Sequence, residues 1–130
     1  MQKILSLAVT AVMLSGCSTP IRSDVEDFPS KLVGQVSPTD NPAFSDCVQD
    51  GFLELEKMWP SPRQVRQERR ALGLRIDTRG AANTVLFVSV DILNSGHVEL
   101  YETGHLPLRL ISKQPERDVF AACLKKHQQL

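Results

Sequence analysis

The stretch "TVLFVSVDIL", residues 84–93, decides the fold class. It is almost entirely apolar and rich in β-branched residues, a composition that favours a buried central strand. Residues 94–96, Asn-Ser-Gly, are a turn signal, and "HVELYET" then alternates so that Val98 and Leu100 face the core. The pattern predicts a hairpin at the centre of an antiparallel sheet.

Two further segments extend this sheet. Around residues 72–77, Leu72, Leu74 and Ile76 alternate with small or charged residues, which predicts a half-buried strand. "HLPLRLI", residues 105–111, also alternates, but its Pro107 is compatible only with an edge strand or a segment covering the edge. The expectation is three or four strands.

A helix is predicted on each side of the strands. The first begins at Asp40 or Asn41, has Pro42 in its first turn, and ends at "WPSP", residues 59–62. Its predicted buried face, spaced by three and four, is Phe44, Cys47, Val48, Gly51, Phe52, Leu55 and Trp59. The last helix begins near Pro115 with an apolar stripe of Val119, Phe120, Cys123 and Leu124. The predicted fold is an α+β two-layer sandwich in the order helix, antiparallel sheet, helix.

The N-terminus has the composition of a secretory signal. Lys3 precedes an uncharged run at residues 4–14, which is about half the length that crosses a bilayer. The run ends in Leu14-Ser15-Gly16-Cys17, which resembles the lipobox of bacterial lipoproteins. The resemblance implies that Cys17 carries a diacylglyceryl group, that the preceding peptide is removed, and that two or three acyl chains anchor the protein stably in a membrane. Ser18 follows Cys17 where an Asp would favour the inner membrane, so the resemblance implies an outer-membrane protein facing the periplasm.

These boundaries divide the chain into three parts. We expect a signal peptide at 1–16, a lipidated tether at 17–41 and one periplasmic domain at 42–130. The tether has three prolines and little periodicity, which is typical of a solvated linker. Its segment "FPSKLV", residues 28–33, could instead pack on the domain as an arm.

Lipidation of Cys17 leaves two cysteines, Cys47 and Cys123. An oxidising periplasm favours a disulfide between them. A reactive thiol or a metal pair is the alternative, but neither cysteine has a neighbouring His or a CxxC spacing.

Three quoted segments resemble the C-terminal domains of TolA and TonB: "LELEKMWPSP", "LFVSVDILNSGHVELYETG" and "FAACLKK", within about residues 50–126. The sequence departs from that pattern by about ten extra residues after Gly104 and by a longer, more basic first strand region. The resemblance implies a non-catalytic periplasmic domain that binds partners, often by adding a strand at a sheet edge.

Residues that could carry chemistry are few. His97 and Glu99 point the same way in a strand, so a two-ligand metal site is conceivable, but Glu102 faces the other side and His105 lies beyond a glycine. A solvated outer face is the favoured interpretation. The sequence has no nucleophile elbow, no phosphate loop and no matched acid–base pair, so we expect no catalytic residues, no metal and no cofactor.

The basic segment "RQVRQERRALGLRIDTR", residues 63–79, is the most informative charge pattern. It has six arginines against Glu68 and Asp77, and a cluster is formed by Arg63, Arg66, Arg69 and Arg70. Guanidinium groups suit carboxylates and phosphates, so we expect this cluster to contact an acidic partner or surface. The alternative is a solvated strand face, or pairing within the domain with acidic residues of the first helix.

The formal net charge of zero and the compartment argue against nucleic acid. We therefore expect a binding or scaffold module of an envelope complex, held to the membrane through Cys17. The alternative is an inhibitor or immunity lipoprotein that blocks a periplasmic hydrolase or toxin, and an enzyme ranks third.

Overall fold

The computed structural model describes residues 28–58, 63–80, 85–104 and 111–128. Its strands join in one antiparallel sheet with the order β1-β5-β4-β3-β2. The elements are β1 (Ser30–Gln35), a 3-10 turn (Pro38–Asp40), α1 (Asn41–Leu55), β2 (Gln64–Arg70), β3 (Gly73–Gly80), β4 (Val85–Leu93), β5 (His97–Glu102) and α2 (Gln114–His127). The α+β class is confirmed, but the described residues form a sheet of five strands rather than the three or four predicted.

Residues 85–93 of the apolar stretch form β4, the middle strand. Val90 lies opposite Ile76 of β3 and Leu100 of β5, and all three side chains are fully buried. The β4–β5 turn closes at Gly96, which has a φ of 91° that favours glycine. The predicted central hairpin is therefore confirmed.

One additional strand is β2, which lies in the arginine-rich segment. Its sequence, "QVRQERR", has a single apolar residue because β2 is an exposed edge strand, so no alternating pattern marks it. Leu72 does not start a half-buried strand as predicted. It lies in the two-residue turn between β2 and β3 and is 70% exposed.

The other additional strand is β1, which shows that the predicted tether at 17–41 is too long. Phe28 and Val36 are buried, and β1 pairs with β5, so the folded domain includes residues 28–41 as well as those from residue 42 onward. Gly34 interrupts the apolar alternation of this strand. It lies so close against Leu124 that a Cβ atom would clash with that side chain. The arm considered for "FPSKLV" is what forms. Residues 1–27, including Cys17, lie outside the described residues.

Both helices pack on one face of the sheet and are joined to each other. The rings of Phe44 in α1 and Phe120 in α2 meet edge to face at 5.8 Å, and Val119 covers Gly51. Cys47 and Cys123 form the predicted disulfide, with their Cα atoms 5.8 Å apart. α1 ends at Leu55, before Trp59, and both residues 59–62 and residues 105–110 of "HLPLRLI" lie outside the described part of the chain.

The disulfide should contribute a large share of the stability. It closes a loop across a sequence separation of 76, for which chain entropy predicts roughly 4 to 5 kcal/mol, and native bridges commonly deliver about 2 to 4 kcal/mol. We expect Cys47→Ser/Cys123→Ser to lower the free energy of unfolding by about 2 to 4 kcal/mol in a urea titration. Reductant should lower the midpoint of the unmodified protein and leave that of the double variant unchanged. Two titratable thiols in unreduced, unfolded protein, beyond any at Cys17, would contradict the bridge.

Candidate functional site

The arginine cluster divides into one buried and three exposed residues. Arg63 is 2% exposed, and its Nε donates to Oε1 of Glu116 at 2.8 Å. Its Nη2 donates to the carbonyl of Ser112, and its guanidinium lies 5.7 Å from the ring centre of Phe87. Arg63 is therefore not exposed to a partner, and its predicted role in binding is wrong.

The ion pair of Arg63 and Glu116 connects three parts of the fold. The Glu116 side chain is fully buried in the first turn of α2, and its Oε1 also accepts a hydrogen bond from Thr78 of β3 at 3.4 Å. The pair thus ties the residue that precedes β2 to both α2 and β3. A buried ion pair of this kind fixes position, because either charge would be strongly destabilising without the other.

Arg66, Arg69 and Arg70 are exposed on β2, but they do not form one flat patch. Arg69 lies opposite Leu74 and so belongs to the helix-facing side of the sheet, whereas Arg66 lies opposite Asp77 on the other side. Arg70 also lies on that other side and is 3.2 Å from Glu68, in an exposed pair that contributes little stability. The three guanidinium groups therefore flank the edge of the sheet from both faces.

The backbone of β2 is open along this edge. The amide of Val65 donates to Oε1 of Glu56 at 3.2 Å, so it points away from β3. Because backbone direction alternates along an antiparallel strand, the amides of Gln67 and Arg69 also point outward. β2 ends the strand order, so within the described residues no strand pairs with its outer side.

A groove of about 510 Å³ lies beside the same edge, between β2 and the start of α1. Gln67 and Arg69 line one side, and Pro42, Ser45 and Asp46 are among the residues of the other. The side-chain amide of Asn41 donates to the carbonyl of Leu93 at 2.8 Å, which fixes the start of α1 against the sheet. The groove is therefore a formed feature whose lining includes both polar side chains and the apolar Leu74 and Ile92.

The opposite edge of the sheet is less regular. The pairing of β1 with β5 shifts register between Ser30 and Leu32, and Val36 forms an isolated bridge with Gln128 beyond α2. A register shift hinders the addition of another strand, and so does a chain segment that covers the edge. Of the two edges, β2 offers the longer uninterrupted row of backbone groups.

The sheet face opposite the helices carries a polar network that includes His97 and Glu99. His97 Nε2 lies 2.8 Å from Glu99 Oε1. Burial alone would raise the pKa of Glu99, but hydrogen bonds from His97, Ser30 and Tyr101 together bring it below its ordinary value. On the same face, burial raises the pKa of Asp77 against the opposing effects of Ser89 and two arginines.

Glu102 faces the helix side, as predicted, where Arg117 binds it. Among the described residues no three metal-ligating side chains come together. His105 lies outside those residues.

Variants of the buried pair of Arg63 and Glu116 distinguish a structural arginine from the exposed ones. Arg63→Met leaves the Glu116 charge buried without its partner, so we expect the free energy of unfolding to fall by about 3 to 5 kcal/mol. Arg63→Met/Glu116→Leu should recover most of that loss, and Arg66→Met should change stability by less than about 0.5 kcal/mol. Urea denaturation of the four proteins measures these differences, and an equal loss in Arg63→Met and Arg66→Met would contradict the assignment.

Comparison with known protein families finds a match at the N-terminus. Residues 1–18 match the family described as prokaryotic membrane lipoprotein lipid attachment site. No curated protein and no solved structure matches the chain, and the resemblance to TolA and TonB domains is not shown. In the part of the chain that the structure describes, no helix has the length and apolar character to cross a bilayer. The chain carries the attachment signal of a membrane-anchored lipoprotein, and Cys17 is the cysteine within the matched residues.

Proposed function

We propose that this lipoprotein resides in the outer membrane, faces the periplasm and binds an envelope protein through the open edge of β2, without catalysis. The observation that carries the proposal is the row of outward amides at Gln67 and Arg69, beside a formed groove. Strand addition at such an edge is a common mode of peptide recognition.

The anchor supports the location. Cys17 is followed by Ser18 rather than by the Asp that favours retention in the inner membrane. Several acyl chains would hold the domain at one membrane for its lifetime, so the binding surface need only be presented there.

The charges around the edge favour an acidic, extended partner segment. Arg66 and Arg69 lie on opposite faces of the sheet, and successive side chains of an added strand would also alternate between those faces. Carboxylates on both sides of such a strand would therefore meet a guanidinium group. Arginine on an edge strand also discourages aggregation, so a test must separate binding from simple edge protection.

The described side chains suit binding better than catalysis. The buried acids Glu102 and Glu116 are each held by an arginine inside the domain. These pairs serve to position α2 on the sheet.

A second candidate function is inhibition of a periplasmic hydrolase or toxin. The observation that favours it is Leu72, which is 70% exposed at the tip of the β2–β3 hairpin, next to Arg70. A protruding apolar tip with an adjacent cation could enter an enzyme cleft. In that case Leu72→Ser would abolish a one-to-one complex, whereas changes along the β2 edge would have little effect.

The main test uses the lipidated protein in its own cells. Gln67→Pro removes one outward amide and leaves the ladder with β3 intact, because that amide does not bond to β3. We expect Gln67→Pro and the triple variant Arg66→Glu/Arg69→Glu/Arg70→Glu each to reduce recovery of a cross-linked partner by at least about tenfold, a loss of about 1.4 kcal/mol. Quantitative mass spectrometry after cross-linking in intact cells measures the recovery.

Two control variants test whether the loss of binding is specific to the β2 edge. Gln67→Ala retains the amide and should bind normally, and Lys125→Glu/Lys126→Glu changes two exposed charges at the far end of α2. Partner recovery that is unchanged in Gln67→Pro and in the triple variant would show that β2 is only a solvated edge.

A further inference from the structure

The two ends of the sheet differ in their distance from the lipid anchor. Ser30 lies opposite Tyr101 at one end, which we call the tether end, whereas Gly73 lies opposite Leu93 at the other, the hairpin end. The anchored chain therefore reaches the domain at the tether end, through Phe28.

The length of that chain limits the distance to the bilayer. Ten residues separate Cys17 from Phe28, and whatever their conformation they span at most about 36 Å. Because β4 has nine residues, the hairpin end lies about 30 Å from the tether end. Lipid headgroups are thus available to the tether end at a high effective concentration, so a weak site there would be occupied.

A cavity of about 260 Å³ lies at the tether end, between the start of β1 and the start of α2. Its charged lining consists of Lys31, Lys113, Arg117 and Glu102, and three cations against one carboxylate leave a formal charge of +2. Arg117 binds Glu102 through two nitrogens, and Glu102 and Glu116 also act electrostatically on Lys113.

Lys113 occupies a position that ordinary helix chemistry disfavours. It is the N-cap residue of α2, where Ser, Thr, Asp and Asn are preferred and where a cation opposes the helix dipole. It is also only 5% exposed, and burial lowers the pKa of its ammonium group. Its Nζ donates to the carbonyl of Ile111 at 2.8 Å. Departures from local preference of this kind are typical of functional sites.

We propose that this cavity binds the phosphate of an anionic lipid headgroup, with Lys31, Lys113 and Arg117 as the cationic groups that face it. A phosphodiester would offset the excess charge, complete the N-terminus of α2 and bring the tether end against the membrane. The hairpin end, with the turn between β2 and β3, would then point away from the bilayer. This site is independent of the β2 edge.

The test uses the mature lipidated protein in nanodiscs of phosphatidylcholine, with or without phosphatidylglycerol. Amide hydrogen exchange of residues 112–118 reports on the site. With phosphatidylglycerol at about four times the dissociation constant, exchange through local opening should slow about fivefold. Residues 70–74 at the hairpin end should not change.

Variants and a soluble anion identify the ligand. Lys31→Glu, at an exposed position that should not alter folding, should abolish the slowing, whereas Lys125→Glu should retain it. Slowing that persists in Lys31→Glu, or that is equal at residues 70–74, would overturn the site. Slowing by inorganic phosphate without any effect of phosphatidylglycerol would overturn the lipid assignment.

Discussion

The disulfide between Cys47 and Cys123 is the constraint on which the arrangement depends. It joins α1 to α2 while both helices cover the same face of the sheet, with α1 beside β2 and β3 and α2 beside β1. A domain of about 100 residues buries a limited core, so a crosslink between its two helices replaces much of the cohesion that a larger core would supply. The helices are thereby held in place while the outer side of β2 is left open.

The buried pair of Arg63 and Glu116 complements this constraint. It fixes the chain just before β2 to α2 and to β3, so the edge strand is held at its beginning while its later residues stay exposed. The edge strand is therefore anchored where it begins, and it pairs with β3 along its whole length. A preorganised edge of this kind loses less conformational freedom on binding than a flexible one.

The sequence predicted the interior better than the edges, for a physical reason. β4 and the two helix stripes follow from apolar spacing, and the disulfide follows from the redox compartment and the cysteine count. β1 and β2 were missed because an edge strand need bury only one side or none, so Gly34 and the charges of "QVRQERR" left no alternating signal. Arg63 looked like its neighbours in sequence. Its partner Glu116 lies 53 residues away, a distance at which composition gives no information.

We propose that β2, and not β1, is the edge that meets a partner. The most direct measurement places a photoreactive amino acid at Gln67 on β2, or at Val33 on β1, which is also exposed, and irradiates cells that make the lipidated protein. The account predicts a cross-linked protein adduct from position 67 and none above background from position 33. Adducts of equal yield from both positions, or from position 33 alone, would contradict it.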